Sequence, residues 1–139
     1  MIVLDTNVLS ELMRAEPAAK VMRWVAGHPA ASLYTSSVTQ AEIMHGIMLL
    51  PAGKRRSAFE AAAEAMFRED FGGRILPFGS DAALPYARIA AARQRAGRPI
   101  AHFDALIAAI ARAAGAVLAT RNVRDFDACG VTVIDPWNA

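Results

Sequence analysis

Four acids in this chain of 139 residues stand where a predicted strand ends or a predicted helix begins. Asp5 directly follows the apolar run Ile2-Val3-Leu4, Glu42 lies one turn into the helix after a second strand, and Asp104 opens a strongly apolar helix. Asp125 sits with Asn122 in the polar loop after a later strand. In a parallel sheet all of these positions fall at the carboxyl edge, where open α/β folds place their ligands. Carboxylates gathered there repel one another and retain protons unless a cation neutralises them, which points to a hard divalent ion such as Mg²⁺ or Mn²⁺. That chemistry lowers the pKa of a water, orients it in line with a phosphodiester and offsets charge on the leaving oxygen, with no general-base histidine required. Thr6 and Thr120 offer hydroxyl donors to the ligand carboxylates, with Asn7 and Asn122 as neutral polar neighbours. Arg121 and Arg124 flank the presumed site as phosphate contacts.

Each acid also has a plainer reading. Asp5 suits the cap of the first helix, Glu42 closes a capping box with Thr39, Asp104 favours a helix dipole, and Asp125 suits a solvated loop. Their shared address carries the functional reading, because independent caps have no reason to collect at one edge. Other chemistries lack their signatures. There is no GxSxG, GxxxxGK[ST] or GxGxxG, and His28, His45 and His102 are not at zinc-ligand spacing. A phosphatase of the haloacid-dehalogenase type needs a second Asp two residues after the first, where this chain has Asn7. The clusters Lys54-Arg55-Arg56 and Arg93, Arg95, Arg98 are further candidate phosphate contacts, though a solvated helix end accounts slightly better for each, and Phe103 and Phe126 are candidates for base stacking that apolar packing accounts for better.

Positioning those acids requires alternating strands and helices. Residues 1–12 read as strand, turn and helix, and Pro17 opens a second helix that stops at His28-Pro29. A short strand over 33–35 precedes a helix that the capping box starts at Thr39 and Ile43, Ile47 and Leu50 continue. Residues 53–71 form a helix or a helical hairpin, 75–78 are extended, and Ser80-Asp81 caps a helix reaching Arg95. The next helix begins near 102–104 and ends at Gly115, followed by strands over 116–120 and 131–134. This alternation predicts right-handed βαβ units, hence an α/β fold with a central, mostly parallel sheet flanked by helices in three layers.

Composition sets the outer bounds. With 55% apolar and 20% charged residues, residues 1–139 make one ordinary globular domain. Cys129 has no partner cysteine, which fits a reducing cytoplasm and excludes a disulfide framework or zinc ribbon. The apolar amino-terminal run is too short for a signal peptide, so the chain is expected to be mature as written. The longest apolar stretch, 105–119, is broken by Arg112 and Gly115 and falls short of the roughly 20 residues of a membrane span. A net charge of +2 is compatible with a nucleic-acid partner without demanding one.

Five blocks carry a family resemblance: IVLDTNVLSE at the start, SSVTQAEIMHGI around Glu42, AHFDALIAAIA around Asp104, LATRNVRDF, and the ending IDPW. In this order and spacing they resemble the PIN-domain ribonucleases, and among those the VapC-type toxins of toxin-antitoxin pairs, with the FitB-like branch nearest. The resemblance implies a PIN-like fold and a Mg²⁺- or Mn²⁺-dependent endoribonuclease acting as a toxin, with metal-binding acids at Asp5, Glu42 and Asp104. Relatives place the fourth acid directly after Thr-Arg, where this chain has Asn122, or use a T-x-N-x-x-D-F form that it matches with Asp125. The fourth role is therefore assigned to Asp125, with Asn122 as a neutral ligand or substrate contact. A small antitoxin, a homodimer, and operator DNA bound only through the antitoxin are further implications. The neutral Asn122 leaves an alternative, a catalytically weak or inactive PIN-like module that binds RNA or protein. A nuclease acting on DNA would use the same residues.

Overall fold

The apolar run Ile2-Val3-Leu4 forms the central strand of a single sheet. In the computed structural model, which describes residues 1–139, the strands are β1 (Ile2–Leu4), β2 (Leu33–Ser36), β3 (Ile75–Leu76), β4 (Val117–Ala119) and β5 (Val133–Ile134). Their order is β3-β2-β1-β4-β5 and every neighbouring pair is parallel. The chain builds outward from β1 through β2 to β3, then returns to the other side of β1 for β4 and β5. The order therefore reverses between β1 and β4, a topological switch point whose carboxyl edge is a natural ligand crevice.

Six helices connect these strands: α1 (Thr6–Leu12), α2 (Ala19–Ala26), α3 (Ser37–Met48), α4 (Lys54–Ala65), α5 (Ala83–Arg95) and α6 (His102–Ala113). Strand residues alternate between two cores, as the pleat requires. Val3 and Leu118 join Ile89 of α5 and Ile107 and Ile110 of α6 on one face. Leu4 and Ala119 join Val8, Leu9, Val21 and Phe67 on the other. Burying each large side chain contributes roughly 1.5–3 kcal/mol, so both faces of the sheet need their helix layer. Between the layers, α3 gives Val38 to the first core and Ile43 and Ile47 to the second.

Two starts position the site. Asp5, in extended conformation, accepts the Thr6 N–H at 2.8 Å and so turns β1 directly into α1. At the β2–α3 junction the structure corrects the expected capping box. The cap is Ser36, whose Oγ accepts the Thr39 N–H at 3.1 Å, so the helix starts earlier and Glu42 lies in its second turn. The carboxylate of Glu42 is thereby free of its own helix start. At its other end, α6 is apolar nearly all round and stops before Gly115, whose φ of 64° ends the helix in the left-handed region.

Candidate active site

Asp5 is 4% exposed, and its carboxylate is held by the Thr6 N–H on its own chain and by Thr120 at the end of β4. Its N–H donates to the Ala119 carbonyl at 2.9 Å, which sets it beside Thr120 at the end of β4. The Thr120 hydroxyl donates to Asp5 Oδ2 at 2.7 Å and accepts from Asn7 Nδ2 at 3.0 Å and from the Asn122 N–H at 3.1 Å. One proton and two lone pairs are all used, so Thr120 has a single orientation, and it locks the acid, the amide and the following loop together. Asn7 completes the arrangement by accepting the Arg121 N–H on Oδ1 at 3.2 Å.

Glu42 reaches the same place from α3. Thr6 Oγ1 lies 2.9 Å from Glu42 Oε1 and 3.1 Å from Thr39 Oγ1. A hydroxyl carries one proton, so Thr6 donates to the carboxylate and the Thr39 proton serves the other contact. Asp104, in the first turn of α6, completes a cleft of about 540 Å³ that is also lined by Asp5, Thr6, Asn7, Glu42, Arg121 and Asn122. Asp125 and Arg124 lie on the 3-10 turn Val123–Phe126, exposed and outside that lining.

The carboxylates behave as an uncompensated cluster. Burial raises the pKa of Asp5 above its ordinary value, opposed by hydrogen bonds from Thr120 and Thr6, with Asp125 adding repulsion. Burial likewise raises Glu42, the Thr6 hydrogen bond opposes it, and the charge of Asp5 adds to it. Asp104 is pushed up to about 6, first by burial and then by the charges of Asp5, Asp125 and Glu42. Asp125 thus acts on the cleft through its field. None of the four ion pairs in the chain involves any of these acids.

A hard divalent cation fits this donor set. The ligands are oxygen, negative and mutually repelling, which is what such an ion relieves. As they stand, no three acidic, histidine or cysteine side chains converge tightly enough to grip an ion by themselves. Magnesium does not need such a cage, because it binds through one or two carboxylates and keeps several waters, for which the cleft has room.

Four lining residues carried no role in the sequence reading: Ser10, Glu11, Arg14 and Trp137. Glu11 is 7% exposed and accepts the Ala18 N–H at 2.9 Å. That bond, and then Arg14, holds its carboxyl below the usual range, so it ties α1 to the start of α2 and is already compensated. The available signal was the spacing of Asn7, Ser10, Glu11 and Arg14, a polar stripe that runs along one face of α1 and into the turn after it. Trp137 is turned into the cleft by its N–H bond to Asp135 Oδ1 at 2.9 Å.

Comparison with known proteins places this geometry. The sequence profile of the PIN domain matches residues 2–130. The chain belongs to the PIN-domain family. This PIN domain is 43% identical over 137 residues to VapC ribonuclease Y4jK of Sinorhizobium fredii, covering 99% of this chain and 98% of the relative. It is 38% identical to Toxin FitB of Neisseria gonorrhoeae over 138 residues, covering 99% of each. Its structure superposes on the crystal structure of FitAcB from Neisseria gonorrhoeae with a TM-score of 0.93 at 37% identity, covering both chains in full. For FitAB bound to an IR36 DNA fragment the TM-score is 0.91 at 38% identity, over 99% of this chain and 96% of the other. The five-stranded sheet with flanking helices is therefore the PIN fold, as the sequence blocks implied. No helix of the PIN domain is long and apolar enough to cross a membrane.

Proposed function

We propose that this chain is the ribonuclease toxin of a toxin-antitoxin pair, cleaving RNA phosphodiesters with a bound Mg²⁺ or Mn²⁺. One observation carries the reading: Asp5, Glu42 and Asp104 line a single polar cleft at the switch point, all with raised pKa values and none with an ion-pair partner. The related ribonuclease and toxin support it at the level of the whole chain. When bound, the ion would supply a hydrolytic water at neutral pH and offset negative charge on the phosphodiester.

The chain's own groups do the rest. Asp5, Glu42 and Asp104 hold the cation, and Asp125 adds negative field from the rim while Asn122 offers a carbonyl oxygen inside the cleft. Thr120 and Thr6 fix the orientation of Asp5 and Glu42 through the hydrogen bonds described above. Arg121 lines the cleft and Arg124 stands outside it, and both are assigned to substrate phosphates. The cation competes with a proton at Asp104, so its affinity rises with pH through about 6.

The partner proposals follow the related assemblies: a small antitoxin, with operator DNA reached through it. An apolar cleft of about 620 Å³, lined by Leu12, Met13, Val25, Met66 and Phe71, suits an amphipathic helix from such a partner. The exposed Phe78, Leu84 and Phe103 suit a second copy of the chain.

Purified protein is expected to cleave RNA when Mg²⁺ or Mn²⁺ is added and to stop in EDTA. Asp5→Asn should reduce the rate by at least about 100-fold, the order seen when one preorganised electrostatic group is removed from a reacting site. Undiminished cleavage by Asp5→Asn would overturn the assignment. The neutral Asn122 in the cleft favours one second reading, a binding module with weak or no catalysis, for which that assay would show no metal-dependent cleavage by the wild type.

A further inference from the structure

The acid cleft does not end at Glu42. A second groove of about 280 Å³ shares Thr6, Ser10 and Glu42 with it and runs on to Arg55 and Phe59 at the start of α4. Each of the two joined clefts thus contains an arginine laid over an aromatic ring. The Arg121 guanidinium carbon lies 4.9 Å from the Trp137 ring centroid, and that of Arg55 lies 5.7 Å from the Phe59 centroid.

The chemistry of these arginines differs from that of their neighbours. In the run Lys54-Arg55-Arg56, Arg56 is engaged by Glu60 at 3.3 Å, whereas Arg55 has no acidic partner. In the acid cleft, Arg14 is engaged by Glu11 at 3.2 Å, whereas Arg121 makes no ion pair and acts on Glu11 only through its field. A third stacked arginine, Arg74 over Phe71, spends its N–H groups on the carbonyls of Ala30, Leu33 and Asp70. Stacking on a ring restrains a guanidinium without neutralising it and leaves its in-plane N–H edge free for a phosphate. Two charged donors held in this way, in clefts that meet at Glu42, match the repeating phosphates of a strand passing the acids.

We propose that Arg55 over Phe59 and Arg121 over Trp137 mark the path of a single RNA strand through the joined clefts, one pair on each side of Glu42. This rests on the ribonuclease reading for the identity of the strand. The arginines contact phosphates, and Phe59 and Trp137 are positioning residues that hold them. The run at 54–56, which by sequence is open between a phosphate contact and a slightly favoured solvated helix end, is divided by the structure into a paired Arg56 and an available Arg55.

The test is equilibrium binding of a short fluorescent oligouridine in EDTA, followed as a function of salt. Arg55→Gln and Arg121→Gln are each expected to weaken binding several-fold and to lower the slope of log K against log salt by about 0.7, the value for one phosphate contact on a single strand. Arg56→Gln, the control, should leave both unchanged. Trp137→Leu should weaken binding as Arg121→Gln does, with no further loss in the double variant and recovery in Trp137→Phe, because the ring acts through the arginine. With metal, these variants should raise KM and leave kcat nearly constant. A salt slope for Arg55→Gln equal to that for Arg56→Gln would overturn the path. Because binding is read without metal, its result is separate from cleavage: a protein that cleaves with unchanged slopes refutes the path, and one that shows both slope changes but never cleaves refutes the nuclease reading.

Discussion

At the scale of single residues, the site is an arrangement of charge that the fold opposes. Asp104 shows this most clearly, because its carboxyl rises from 3.8 to about 6 and no hydrogen bond offsets the shift. Between those two values the folded chain holds a proton that the unfolded chain has lost. Stability of the metal-free protein therefore falls as pH rises through that window and stays low above it. Asp104→Asn removes the burden and should stabilise the metal-free protein at neutral pH by about 1 kcal/mol, a figure discounted for partial exposure, or roughly 3 °C in Tm. The gain should vanish below pH 4, where the wild-type carboxyl is protonated in both states. A lower Tm for the variant at neutral pH, measured in EDTA, would contradict this account. The convergence of Asp5, Glu42 and Asp104 on one cleft was legible because strand ends and helix starts leave marks in a sequence. The compensated state of Glu11 was not, since it depends on the Ala18 N–H presented by the next helix.

At the scale of elements, local pattern located the segments and tertiary pairing set their ends. The β2–α3 junction offers several hydroxyl residues in succession, Thr35, Ser36, Ser37 and Thr39, and any of the last three is an acceptable cap. The choice is made by β3, because Thr35 pairs with Ile75 and Ser36 with Leu76, which keeps the chain extended through Ser36. That pairing joins segments far apart in the chain and is invisible in the motif Thr39-Gln-Ala-Glu42. Ser36→Ala should cost about 1 kcal/mol of stability, seen as a lower denaturation midpoint. Ser37→Ala, at a hydroxyl that makes no side-chain hydrogen bond, should leave the cap intact, and a loss from Ser37→Ala as large as that from Ser36→Ala would reverse the assignment. The expected helix over 53–71 divides for a similar reason. Its last turn, Met66–Asp70, widens to a π turn closed by the Phe71 N–H on the Met66 carbonyl at 3.1 Å, with Phe67 and Phe71 both buried in the core beside α1. Sequence periodicity shows the helix and does not show the widening.

At the scale of the whole molecule, the wholly parallel order β3-β2-β1-β4-β5 explains why acids so distant in the chain face one cleft. Asp5 and Thr120 meet because β1 and β4 are neighbours, and Glu42 joins them because α3 spans both cores. Alternation of strands and helices was enough to anticipate this layout. The outer position of Asp125 was not readable, because the 3-10 turn that carries it is tied by Arg93, whose guanidinium donates to the carbonyls of Asp125 and Asp127 from α5. The proposed divalent-cation site draws together all three cleft acids. Calorimetric titration of Mn²⁺ into the metal-free wild type and Asp104→Asn tests it most directly. The wild type is expected to bind saturably, more tightly as pH rises through about 6, and Asp104→Asn to lose both the affinity and its pH dependence. Identical titrations for the two proteins would contradict it.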